Sequence, residues 1–391
     1  MSKVDLLYRW LARERGSAAD RVLADALSRA EPEYASLLIS ALVERRQESA
    51  WVALISHYDR LGPPIRALVL TNPQLVRAAV STVAKSPNVR ERRNALALLF
   101  DRPHLALSYV VAEALNDPSD QVADLAATTL RRTAVSVLAA ADRVTPAGRS
   151  EVVRALKDAL KTVARHARPE ILETCLWFAR DLGSDLWDAL AEHGSRAGQI
   201  VELHLPRWNH PRLAGFLLVA LARPTWRKAA QKLLDEWHQP AELDAVLRNS
   251  DLLNDPEVRG HLHLLQRPRW FLTADSVLAE LTPELRAKLP YWICYLGFSD
   301  TERVRCLDTW QRAPYVELHR AAVYALAAMN HSDADRTLAQ VAQYDGPMRP
   351  FATWYCAGRR AYTGWQREEH QHRATQDPIE AGADKVNEAA S

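Results

Sequence analysis

Apolar side chains recur along this chain at helical intervals, in short runs broken by turn residues. In the stretch 115–130, LNDPSDQVADLAATTL, Val122, Leu125, Ala126, Thr129 and Leu130 fall at i, i+3, i+4, i+7 and i+8, one face of a helix. Asp117 is placed to cap that helix, its carboxylate accepting a backbone N–H of the first turn. Pro118 follows at the first helical position, where its missing N–H costs nothing and its fixed φ is already helical. The small residues on the apolar face let a neighbouring helix come close.

Similar openings occur at Asn72-Pro73, Arg168-Pro169, His210-Pro211, Asp255-Pro256 and Ala313-Pro314, so that prolines recur 42 to 58 residues apart. Each interval holds two helical segments, such as 95–99 and 105–115, broken by Asp101-Arg102-Pro103. A pair of this kind has an apolar face too broad to hide alone and must stack on its neighbours.

A cap, a proline, Val-Arg and then alanine at this period resembles HEAT repeats. The resemblance runs over residues 20–345 and is clearest at 72–80, 86–98, 117–130, 255–259 and 313–326. It implies an all-α, right-handed α-solenoid of stacked antiparallel helix pairs with a concave inner surface. It also implies a ladder of Asp and Arg along the turns. Asn72/Arg77 and Asp255/Arg259 match that ladder, while Ala123 stands where the 117–130 repeat would carry arginine.

The rhythm is disturbed over 183–211, where Gly183, Gly194 and Gly198 suggest an irregular joint between an N-terminal segment, 1–182, and a C-terminal one, 212–365. Ten of the 12 tryptophans and ten of the 13 histidines lie at or after residue 177, so the two segments differ in character. Residues 366–391 carry almost no apolar side chains, and a disordered tail is expected there. Before it, Phe351, Trp354, Tyr355, Tyr362 and Trp365 sit at helical spacings. Either they are buried by a final capping helix, or Trp354, Tyr355 and Trp365 form an exposed patch for a partner.

Composition narrows the function classes. The net charge of +2 is not that of a strongly basic nucleic-acid binder. Cys175, Cys294, Cys306 and Cys356 are far apart, with no CxxC pairing, and read as buried free thiols rather than zinc ligands or disulfides. No long uncharged apolar run or leader-like N-terminus is present, so a cytoplasmic protein without a membrane span is expected. No phosphate loop or HExxH occurs, and His261 and His263, two apart on a helix, do not share a face. His370 and His372 fall in the polar tail. No metal and no cofactor are implied.

Two constellations remain. Trp177 and Asp181 are i and i+4, hence on one face of a continuous helix. HEAT-like alkylpurine DNA glycosylases use these residue types at this spacing, the ring stacking on a cationic base and the carboxylate stabilising charge on the departing sugar. Trp187 is a second ring for such a site. The bland alternative puts Trp177 in the core and Asp181 at a helix end. The arginine pairs Arg45-Arg46, Arg92-Arg93 and Arg131-Arg132 recur near the repeat period and would stack into a basic ridge suited to phosphates or an acidic protein; alternatively they are solvated helix faces. With no catalytic constellation assembled, the expected function is a non-catalytic protein–protein interaction scaffold. The alternative is a nucleic-acid-binding protein of the base-excision kind.

Overall fold

The computed structural model describes residues 3–359 apart from 15, 31, 64–65, 67–72, 141–142, 192–194 and 273. The fold is all-α, with no strand among the described residues. The chain divides into two compact units, Met1–Asn209 and His210–Ser391. Within each, a helix packs on the next and the next but one along the chain, which is the stacking of a solenoid.

In the first unit the file runs through Pro32–Arg45, Glu48–Ser56, Pro73–Val83, Val89–Asp101, Ser108–Ala114, Asp120–Ala139, Pro146–Lys161 and Pro169–Trp177. The small-residue face predicted over Val122 to Leu130 is the one that packs: Val122, Ala126 and Leu130 are wholly buried on the Asp120–Ala139 helix. Alanines there let the Val89–Asp101 and Asp120–Ala139 helices approach closely. The Lys3–Arg13 helix turns Leu6, Leu7 and Trp10 to solvent.

In the second unit the file runs through Ala214–Ala220, Pro224–Glu236, Pro240–Arg248, Pro283–Tyr295, Asp300–Gln311, Val316–Ala328 and Ser332–Val341, and residues 349–359 are also helical. Its richness in tryptophan has a packing reason. Trp270 meets Trp292 edge to face at 6.4 Å, and Phe271 meets Trp310 at 5.9 Å. Such pairs add about 1 kcal/mol beyond the area that they bury. Two of the indole N–H groups stay satisfied inside the core: Trp292 donates to Ser250 Oγ and Trp310 to Asp275 Oδ1.

Proline at the first helical position is a general device here, at Pro73, Pro146, Pro169, Pro224, Pro240, Pro256 and Pro283. The opening 117–118 differs from its reading. The helix begins at Asp120 with Ser119 as its N-cap, and the carboxylate of Asp117, three residues before the helix begins, accepts the Ser119 N–H at 2.8 Å. Pro211 opens only a single 3₁₀ turn, Pro211–Leu213, and Pro314 precedes the Val316–Ala328 helix by two residues.

Charged side chains fasten successive helices, but not through the expected rungs. Asp255 is an N-cap, accepting from Glu257 and Val258, while Arg259 lies 5.8 Å from the Tyr295 ring centre; Asn72 is outside the described residues. The rungs observed include Arg90–Asp59, Arg92–Asp117 and Arg149–Asp181, each at 2.7 Å in the first unit, and Arg286–Glu317 at 2.6 Å in the second.

Candidate interaction surface

The structure splits every arginine pair. Adjacent helical residues diverge by about 100°, which separates Arg92 from Arg93 and Arg131 from Arg132; Arg45 ends its helix, and Arg46 follows it with φ 51°. Arg45 is buried: Nε donates to Asp20, and the guanidinium also donates to the carbonyls of Leu11 and Gly16 at 2.6 and 2.9 Å. It ties the first three helices together and is unavailable to a phosphate. Arg92 holds Asp117 through two hydrogen bonds and donates to the Ser86 carbonyl. Arg131 reaches Glu173 at 2.9 Å and lies over the Trp177 ring at 5.0 Å. Arg46, Arg93 and Arg132 face solvent, with the Arg132 guanidinium over Phe100 at 4.5 Å.

Trp177 and Asp181 do not share one helix. The helix Pro169–Trp177 ends at Trp177, Phe178 breaks it with φ −105° and ψ 23°, and a separate turn, Ala179–Leu182, carries Asp181. Phe178, at the break, is fully buried. Trp177 is 8% exposed beneath Arg131. Both Asp181 oxygens accept from Arg149, at 2.8 and 2.7 Å. An anion already neutralised in this way is a poor stabiliser of a second cation. Trp187 is half-buried on the Ser184–Ala191 helix.

The aromatic stripe gives a different picture. Phe351 and Tyr355 are half-buried, while Trp354 is 70% exposed. Phe351 is the hub. Tyr324, from the Val316–Ala328 helix, meets it edge to face at 4.7 Å, Trp354 lies at 6.1 Å, and Tyr355 stacks at 6.4 Å. Arg359 holds the outer edge, donating to the Tyr355 hydroxyl at 3.1 Å and to Asn330 at 2.9 Å. A large indole thus stands in water on a platform braced from below. Trp365 and Tyr362, together with the whole of 366–391, lie outside the described residues. Tyr324 escaped the sequence reading because it comes from another helix, at no helical spacing from the stripe.

Of the thiols, Cys175 is fully buried, which pushes its pKa up to about 12; Cys294, Cys306 and Cys356 are half-buried rather than core residues. His261 is engaged on both ring nitrogens, with the Glu257 carbonyl at 2.8 Å and Arg227 at 2.9 Å. Among the described residues no cluster of three or more His, Cys, Asp or Glu side chains is placed to hold a metal ion. No described helix is long and apolar enough to cross a membrane.

No family model matches this chain, and no curated protein matches it. Among solved structures it is similar to Kap121p bound to Ste12p, at 12% identity and a TM-score of 0.29, over 88% of this chain and 44% of that one. It is also similar to Kap121p bound to RanGTP, at 12% identity and a TM-score of 0.27, over 91% and 48%. A third likeness is to an engineered protein, at 14% identity and a TM-score of 0.30, over 92% of this chain and 98% of that one. The chain spans less than half the length of the Kap121p chains.

Proposed function

We propose that this chain is a non-catalytic, HEAT-like interaction scaffold and that a protein partner docks on the surface carrying Trp354 and Tyr355. One observation carries the reading: Trp354 is 70% exposed while the rings beneath it are fixed. Rigid, exposed tryptophan on an ordered base loses little entropy on binding and is the residue type most often found at interface hot spots. The groups that base excision would need, Trp177 and Asp181, are engaged in packing and in an ion pair instead.

The test is site-specific cross-linking. A photoreactive benzoylphenylalanine replaces Trp354 in the full chain, and in a control chain it replaces Leu203, which is 66% exposed in the first unit. Irradiation in native extract should give one discrete protein adduct from position 354, competed away by excess unlabelled parent. Equal, unsaturable labelling from both positions overturns the reading.

A further inference from the structure

The turn between the helices Pro146–Lys161 and Pro169–Trp177 is built around one imidazole. His166 Nε2 lies 2.9 Å from the Ala159 carbonyl oxygen, in the last turn of the first helix. Its Nδ1 lies 3.1 Å from the backbone nitrogen of Arg168, the N-cap residue of the second. A carbonyl only accepts and a backbone N–H only donates. Both bonds therefore hold together in one form of the ring: neutral, with the proton on Nε2 and the lone pair on Nδ1. A second proton would set Nδ1–H against the Arg168 N–H, and that bond would be lost.

Two further features load the same turn. Ala167 sits in the left-handed region, at φ 46° and ψ 33°, a conformation that its Cβ makes unfavourable. The ring's bonds on either side hold it there. The Arg168 guanidinium is bound to Asp124 of the Asp120–Ala139 helix, so this one turn ties three helices together.

We propose that His166–Arg168 is an acid-sensitive latch, which opens when the His166 ring takes a second proton and frees the start of the Pro169–Trp177 helix. The inference is independent of the Trp354 surface. Around the ring, Asp158 and Lys161 of the preceding helix pair with each other at 3.1 Å, and Arg165 belongs to the ring's own turn. The Arg196–His204 helix, which packs on this turn, carries Arg196, Glu202 and His204. Burial disfavours the imidazolium most, and the charge of Arg168 adds to it. The Ala159 carbonyl and Glu170 act the other way, and the balance leaves the closed ring's pKa below its ordinary value. The open turn, with the ordinary value of about 6.5, takes the proton first. Closure is thus fully favoured above that pH and is lost as pH falls through the closed turn's own pKa.

Amide hydrogen exchange on the full chain tests it, read by mass spectrometry at about pH 7.5 and about pH 5.5 and corrected for intrinsic exchange rates. Protection over 163–172 should fall about threefold to tenfold in acid, and that over 124–137 by less than half as much. In His166→Asn the amide oxygen accepts the Arg168 N–H without titrating, so protection over 163–172 should be the same at both pH values. His104, the other buried histidine of this unit whose pKa burial lowers, supplies the control: His104→Gln should keep the acid response over 163–172. In the parent chain labelled with ¹⁵N-histidine, the His166 ring should show its proton on Nε2 at about pH 7.5, a readout that needs no variant to fold. The proposal is overturned if the parent's protection there does not change with pH, if His166→Asn responds like the parent, or if the proton is found on Nδ1.

Discussion

Arg92 grips Asp117 with two parallel hydrogen bonds, Nε to Oδ2 at 2.7 Å and Nη2 to Oδ1 at 2.9 Å. The same carboxylate accepts the Ser119 N–H, so one anion ties the Val89–Asp101 helix to the entrance of Asp120–Ala139. Burial opposes its charge, but Arg92 and the Ser119 N–H outweigh burial and hold the carboxyl below its ordinary range.

The pH dependence follows from that direction. A carboxyl with a depressed folded pKa contributes stability that is fully present above its unfolded pKa, about 3.9, and lost as pH falls through the folded value. Asp117→Asn should therefore lower the unfolding free energy at pH 7 by about 2 kcal/mol, since a charge-assisted pair is lost and Arg92 keeps only its carbonyl partners. Urea denaturation of parent and variant checks it. The gap between them should narrow below about pH 4, as the parent's own carboxyl is protonated; a gap unchanged at pH 3 rules out ion pairing as its cause.

Gly297 supplies a steric prediction. Its N–H donates to the Leu265 carbonyl at 2.9 Å, and an added Cβ would lie 2.5 Å from the His263 carbonyl oxygen and 3.0 Å from that of Leu265. Neither backbone atom can swing away as a side chain would. Gly297→Ala should cost about 2 kcal/mol or more. Gly260→Ala makes the contrast: its Cβ meets open space within the Pro256–His261 helix, so stability should hold or rise by about 0.5 kcal/mol. Chemical denaturation of the two variants side by side separates them, and equal losses would sink the backbone-clash argument.

The helical faces and the proline starts could be read from the sequence because they depend on neighbours three to eight residues away. Ala126 and Leu130 are buried as their spacing predicts, and Pro169 and Pro256 open helices. Long-range partners could not be read. Asp117 looks like an N-cap until Arg92, 25 residues upstream, is brought against it. The arginine pairs suggest either one ridge or solvated helix faces, and helix geometry alone already turns Arg92 from Arg93 and Arg131 from Arg132. Trp177 and Asp181 were read on one helix because nothing local announces a break at Phe178, whose burial comes from packing. The platform under Trp354 needs Tyr324 from another helix, and no spacing along one segment reveals it.

The Arg149–Asp181 pair bears on the base-excision alternative. Because Arg149 is more than a third exposed, water screens the pair, and Asp181→Asn should cost only about 1 kcal/mol. In an electrophoretic shift with duplex DNA, no retarded band is expected even at low salt, where phosphate contacts are strongest. A retarded complex, together with release of 3-methyladenine from alkylated DNA by the parent and not by Asp181→Asn, would restore the enzymatic reading.

Trp354 and Phe351 are three residues apart, yet opposite outcomes are expected from them. Trp354 gives most of its surface to water, so Trp354→Ala should change the unfolding free energy by no more than about 0.5 kcal/mol. Phe351 touches Tyr324, Trp354 and Tyr355, so Phe351→Ala should cost about 2 kcal/mol through lost ring contacts and a partial cavity. Partner capture should show a different pattern. Once the cross-linked partner is purified, Trp354→Ala should weaken it at least tenfold, the usual loss for a hot-spot tryptophan. Phe351→Ala should weaken it too, because the platform that holds the indole is gone, but only in company with reduced stability. The two variants measured by thermal melt and by calorimetry against the same partner decide the matter. If Trp354→Ala is destabilised like Phe351→Ala and binds like the parent, the indole is a packing residue and the docking surface lies elsewhere.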